Sequence, residues 1–498
     1  MSIFSSSSAF EKKKLVGEWW IPNQEKRCFG SLYFDLDGEQ KLCIAGNFDN
    51  CTFFESSRVR GYDVIHGICR VGNTINNVTV LDAVYTNHSM SMNHEASISE
   101  STLSFQDVWI GTELYDSRDD IVFSSFYFGL NNLAIWHDFS RNFTSEVDDR
   151  SKTITAKLVV PEPITFFSDE NVAISIDYGK QLPDRRIGQT ESTIRCAPQI
   201  RISANNGSLP YYGKAGSFEH YLFFVFQMFE LFIWGQTFFF CMRGYLEKDS
   251  SEGNNKLFPV CEELLFPRDI TSKQRKTMSA QDDVMFSYPV IKNCLSDLAM
   301  NFHHFYNSLR VILDSALSSI CRSSYGLNSL PLLLFSVEGL QQIFYHSLGE
   351  STSPENISDY TAFDSLKQEI IQLCNTNELK SFAKREIRWG KSFRDRLFAI
   401  FLDLKAVFSF FDDDICNSLA KDLTKLRNDA AHSDERDFDQ ILTPLYRSQH
   451  FFVQFLHIAI IMKACGLPPE IIRRRFEVNY LYQSTSAFLR DHYATNRS

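Results

Sequence analysis

No CxxC pair, no HExxH, no GxSxG and no glycine-rich phosphate loop occurs in the chain. The first two absences remove the common cysteine and histidine frames for zinc. The third removes the nucleophile elbow of an α/β-hydrolase, and the fourth removes phosphate-loop nucleotide binding. No metal and no cofactor is therefore expected. The 12 cysteines are scattered without regular spacing and read as reduced, mostly buried thiols. Residues 1–15 are serine-rich and then lysine-rich, with no apolar core of a secretory signal. The most apolar stretch, 221–242, is broken by Gln227, Glu230, Gly235 and Gln236. It is too short to span a bilayer and reads as a buried helix followed by a strand over 237–242, so no membrane partner is expected. An excess of positive charge is also missing. The net charge of −11 argues against a general nucleic-acid coat and leaves room only for a local basic cleft.

What the chain has is length, apolar residues and phenylalanine. Its 498 residues predict two or three domains, and 44% hydrophobic residues with 45 Phe supply large cores. Residues 15–200 carry short β-branched and aromatic runs, with Asp37-Gly38 as a hairpin signal. Many short strands at this spacing predict a sandwich-like or barrel-like sheet domain over 1–213. His88, Met90, Met92 and His94 are near one another in sequence; a soft-metal cluster is one reading, and a serine-rich loop with incidental histidines is the other. From about 214 helical periodicity enters, and 214–328 reads as a mixed middle region continuing the first domain. It includes a helix over 291–318. Residues 329–498 read as helical throughout, with helices over 332–348, 361–375, 378–410 and 415–431, and a final long helix over 437–465 stopped by Gly466 and Pro468-Pro469. The fold class is thus α+β, ending in an all-α bundle.

One short run in that bundle has a catalytic layout: Arg427, Asn428 and, four residues beyond the Asn, His432. Histidine exchanges a proton near neutral pH, and arginine grips phosphate. On a helix Asn428 and His432 share a face, while Arg427 is turned about 140° from His432. The alternative is an ordinary helix end, with Arg427 in an i,i+4 pair and His432 at the C-terminus. Lys384, Arg385, Arg388, Lys391, Arg394 and Arg396 recur at roughly helical spacing. They make either a basic face for RNA phosphates or a solvated charged face diluted by Glu386 and Asp395.

The Arg-x(4)-His arrangement, with Asn directly after the Arg, resembles the HEPN ribonuclease motif. In the first half, Gly17-Glu18-Trp19-Trp20-Ile21-Pro22, Gly30-Ser31-Leu32-Tyr33-Phe34, Leu42-Cys43-Ile44-Ala45-Gly46, Ile65-His66-Gly67 and Val78-Thr79-Val80-Leu81 resemble the amino-terminal domain of ApeA-like proteins. Those are bacterial anti-phage proteins that carry a C-terminal HEPN domain. The resemblance implies a cytoplasmic, metal-independent endoribonuclease of abortive infection, cutting RNA and most naturally tRNA. It implies a homodimer through the bundle over 329–498, or a higher oligomer, with His432 as acid or base, Arg427 on the phosphate and Asn428 orienting. Glu338, set within the broad apolar face of the helix over 332–348, matches a polar position of such domains that would support Arg427. The sheet domain would then sense infection, with a phage protein as the implied trigger. The alternative is a catalytically silent HEPN scaffold that binds RNA, a nucleotide or a partner protein.

Overall fold

The computed structural model describes residues 13–34, 40–48, 61–71, 74–93, 96–148, 153–181, 195–213, 215–235, 237–246, 260–265, 284–321, 329–347, 357–374, 376, 379–380, 392–432 and 443–495. The chain forms two compact units, Met1–Lys292 and Asn293–Ser498.

The first unit opens with β1 (Lys13–Trp20), β2 (Arg27–Phe34), β3 (Gln40–Ala45), β4 (Gly61–Val71), β5 (Thr74–Asn93) and β6 (Ala96–Ser104). They pair antiparallel in the order β5-β4-β1-β2-β3-β6, and β6 pairs back onto β5. A six-stranded barrel results. Closure depends on β5, whose first half pairs with β4 and with β7 (Asp107–Gly111), and whose second half pairs with β6. Between the halves Asp82 takes a φ of 50° and the register shifts between Tyr85 and Asn87. Such an irregularity bends a strand. Residues 88–93, one reading of which was a loop, are the far end of this strand.

Strict alternation fills the barrel. Leu15, Trp19, Cys28, Leu32, Leu42, Ile44, Ile65, Cys69, Val78 and Val80 are buried in one cluster, while their neighbours along each strand face outwards. Glycine makes room where the packing is tightest. A Cβ at Gly67 would lie 2.5 Å from the Trp19 ring, and one at Gly17 would lie 2.1 Å from the Ile68 carbonyl oxygen.

Beyond β7 the sheet continues open, through β17 (Val260–Leu265), β16 (Phe239–Leu246), β9 (Ser125–Leu130), β14 (Arg195–Ala204), β13 (Val172–Gln181) and β12 (Ile164–Ser168). The short pair β8 (Val122–Phe123) with β15 (Leu209–Pro210), and the hairpin β10 (Phe143–Asp148) with β11 (Thr153–Leu158), stand outside it. Of the two layouts expected, sandwich-like or barrel-like, the sheet takes the second in part: it is one continuous sheet, partly rolled into a barrel. The short helix α1 (Leu133–His137) and the long α2 (Phe218–Ile233) belong to this unit. The apolar run of 221–242 supplies α2 and then β16. Phe229 of α2 packs edge-on against Trp136, whose indole N–H donates to the Phe286 carbonyl at 2.7 Å. The one-turn α3 (Tyr288–Ile291) ends the unit.

Among its described residues the second unit has helices and no strand: α4 (Leu295–Cys321), α5 (Ser329–Ser347), α6 (Ile357–Leu373), α7 (Phe393–Asp403), α8 (Asp413–His432), α9 (Pro444–Ala464), α10 (Pro469–Glu477) and α11 (Tyr480–Thr495). The helix predicted over 291–318 is α4, which packs on α5 and α9 and belongs to this unit. From Phe452 to Met462, α9 is buried on every side, as the central helix of a bundle must be. It is not the last helix. The two prolines that stop it open α10, and α11 packs back against both α9 and α8. The third predicted helix ends at Asp403 instead of continuing to 410. Val407, Phe408 and Phe411 are buried in the turn that follows. No described helix is long and apolar enough to cross a membrane.

Candidate functional site

Helix α8 begins with the Asp412 carboxylate accepting from the Ile415 N–H at 2.8 Å, and Asp413 and Asp414 complement the positive end of its dipole. Ile415, Cys416, Leu419, Ala420 and Leu423 form its buried stripe. Arg427 lies four residues after Leu423, so the same stripe carries its side chain inwards, toward α5 and α7, while Asn428 and Asp429 are exposed. This inward turn decides what Arg427 meets.

It meets Glu338. Arg427 Nη2 donates to Glu338 Oε2 at 2.9 Å, and Arg396 Nη2 of α7 donates to Glu338 Oε1 at 2.5 Å. One carboxylate of α5 thus holds guanidinium groups from α7 and α8, an arrangement suited to the carboxylate's two oxygens. The three side chains are only 19–27% exposed. Phe335, one turn before Glu338, and Phe393, three residues before Arg396, wall the cluster. The Arg427 guanidinium lies 5.0 Å from the Phe335 ring centre and 5.4 Å from that of Phe393, within reach of a favourable cation–π contact. Arg427 Nη1 also donates to Asn428 Oδ1 at 3.3 Å. The Nε atoms of Arg396 and Arg427 are both buried without a hydrogen-bond partner among the described residues. Two guanidinium groups against one carboxylate leave a formal charge of +1, so the cluster can attract a phosphate oxygen without losing its internal tie.

The structure therefore brings Arg427, Asn428 and Glu338 together and adds Arg396, which the sequence placed on a basic face instead. Arg394, from that same predicted face, donates to Asn417 Oδ1 of α8 at 2.7 Å. Lys384, Arg385, Arg388 and Lys391 lie outside the described residues. His432 is the last residue of α8, one turn beyond Asn428; its side chain is likewise outside the described set. Sequence reasoning missed Phe335, Phe393 and the pairing of Arg396 with Glu338. The signal for the last was a lone carboxylate in an apolar helix, which needs a cation, without any indication of a second one.

A second polar feature borders the same helix. A cavity of about 570 Å³ lies between α8 and α11, lined by Asp414, Lys421, Asp422, His492 and Tyr493 among others. The Tyr493 hydroxyl donates to Asp422 Oδ2 at 2.9 Å and accepts from Gln449 Nε2 at 3.1 Å. Burial and the adjacent Asp422 carboxylate raise the Tyr493 pKa, keeping the phenol neutral. Among the described residues, no group of three or more His, Cys, Asp or Glu side chains is placed to hold a metal ion.

A barrel that extends into an open antiparallel sheet, followed by a helical bundle, defines a two-unit α+β protein. Residues 14–301 match the family model described as ApeA N-terminal domain 1, which covers more than half of the chain. The chain belongs to the ApeA family, and that membership supports a role in defence against phage. The match ends near the start of the helical unit. No curated protein and no solved structure matches the chain.

Proposed function

We propose that the helical unit is a HEPN ribonuclease domain and that the protein is an RNA-cleaving effector of anti-phage abortive infection. The observation that carries this reading is Arg427 held by Glu338 beside Asn428, one helical turn from His432. Family membership in the first unit supports the biological setting.

In this reading His432 takes the proton from a ribose 2′-hydroxyl, whose oxygen attacks the adjacent phosphorus. The bond to the 5′-oxygen breaks, and that oxygen leaves as a hydroxyl after protonation. The products are a 2′,3′-cyclic phosphate and a 5′-hydroxyl end. Arg427 stabilises charge gathering on the phosphate oxygens, and Glu338 fixes the plane of its guanidinium. RNA supplies its own nucleophile, so the step requires acid–base and electrostatic help only. Two copies of the chain joined through the bundle would set two such motifs around one phosphate, with tRNA as the substrate class and a phage protein as the trigger sensed by the sheet unit.

A silent scaffold is the competing reading, and one observation favours it. Both terminal nitrogens of Arg427 already donate within the chain, as they would in a purely structural ion pair. The two readings diverge on His432→Ala. The ribonuclease reading expects loss of phage-triggered growth arrest, with helical content and oligomeric state unchanged. Arrest that persists in the folded variant contradicts it.

A further inference from the structure

The outward face of the barrel is not an ordinary polar surface. Antiparallel register sets its residues side by side: Trp20 faces Arg27 and Glu18 faces Phe29 across β1 and β2, Lys14 faces Tyr33, and Tyr33 faces Lys41 of β3. On the other side Val16 faces Arg70 of β4, which faces Ile75 of β5. Phe29 is 68% exposed, Val16 55% and Ile75 77%, so three large apolar side chains stand in solvent on one sheet face. Cations accompany the aromatic rings. The Arg27 guanidinium lies 4.3 Å from the Trp20 ring centre, and the Lys14 and Lys41 ammonium groups lie 5.2 and 5.7 Å from that of Tyr33. Among the described residues, Lys14, Arg27, Lys41 and Arg70 of this face stand against Glu18, which pairs with Arg27, Glu100 at the β6 edge, and Asp116, whose carboxylate lies 3.5 Å from His66 beside Trp20. This local excess of positive charge belongs to a chain whose net charge is −11.

We propose that this barrel face binds single-stranded nucleic acid. Aromatic side chains standing among lysines and arginines on an antiparallel sheet offer base stacking and phosphate neutralisation together. The geometry suits a strand with separated bases. Trp20 and Phe29 are diagonal neighbours across β1 and β2, about 7–8 Å apart. Phe29 and Tyr33 are four residues apart along β2, about 13 Å. A duplex would bury its base faces and gain nothing from Phe29. An acidic protein would use the cations and leave the exposed rings without bases to stack on. The face lies entirely within the first unit, and the inference does not depend on the ribonuclease reading.

The test is fluorescence anisotropy of labelled oligodeoxythymidine with the full-length chain across a salt series. DNA has no 2′-hydroxyl, so the probe survives whether or not the helical unit cuts RNA. Binding that weakens with salt is expected, and it should exceed binding to a duplex of equal length. Phe29→Ala should weaken it about tenfold. Lys14→Ala with Arg70→Ala should flatten the dependence of log affinity on log salt by about 0.7 per cation removed. All three positions are exposed, and circular dichroism checks that the variants fold. Absence of binding at low salt overturns the proposal, as does binding that these variants leave unchanged. A change in oligomeric state on Phe29→Ala without any oligonucleotide binding also overturns it and assigns the face to a protein.

Discussion

Glu338 is the residue on which the candidate site turns, because it joins α5 to both α7 and α8 through two guanidinium groups. Its removal would leave Arg396 and Arg427 facing one another with no anion between them. Glu338→Ala is therefore expected to lower stability by about 1–3 kcal/mol, below the range for a fully buried pair because the cluster is partly solvated. Glu338→Gln keeps an acceptor and should cost less; urea midpoints of the two variants check the order. The spacing of Arg427, Asn428 and His432 and the isolation of Glu338 in an apolar helix were legible in the sequence. The tie from Arg396 was not, because it joins residues 58 apart through helix packing that no local pattern encodes.

Two buried histidines give the helical unit a pH response. His457 of α9 has Nδ1 2.7 Å from the Val453 carbonyl oxygen and Nε2 2.5 Å from the hydroxyl of Ser336, which donates to the Leu333 carbonyl at 2.8 Å. Burial lowers the pKa of His457 and of His450 to about 4, against about 6.5 for an unfolded histidine. As pH falls below 6.5 the unfolded chain takes up protons that the native unit refuses. Stability should therefore be full above that value and decline by about 1.4 kcal/mol per pH unit per histidine down to about pH 4. Denaturation midpoints between pH 7 and 4.5 test this, and His457→Gln should reduce the slope.

At the scale of elements, alternation and helical periodicity made most of the fold class readable, while closure and packing were not. Strands with one apolar face announced a barrel or sandwich equally, because both bury one side of a sheet. The choice was made by the bend in β5 at Asp82, which no strand pattern marks. The last two helices were missed because Pro468-Pro469 reads as a stop, whereas Pro469 occupies the first turn of α10, where its missing N–H costs nothing. The close approach of Gly67 to Trp19 in the barrel gives a direct check. Gly67→Ala would push a methyl group into the Trp19 ring, with an expected loss of about 1–3 kcal/mol. Tryptophan fluorescence during unfolding reports it, and an unchanged midpoint would show that Trp19 moves aside at no cost.

For the molecule as a whole, composition bounded the answer without giving it. A chain with net charge −11 has little general affinity for nucleic acid, so its candidate RNA contacts must be local. They are: the Glu338 cluster in the second unit and the aromatic, basic barrel face in the first. The family match covers the sheet unit, and the proposed chemistry belongs to the helical one.

The most direct test of that account is cleavage of end-labelled total tRNA by the purified protein in EDTA, beside His432→Ala, with and without an extract of phage-infected cells. The account predicts discrete fragments ending in a 2′,3′-cyclic phosphate, resistant to EDTA and lost in the variant. Intact RNA in every lane from a folded protein that arrests growth of infected cells would contradict it.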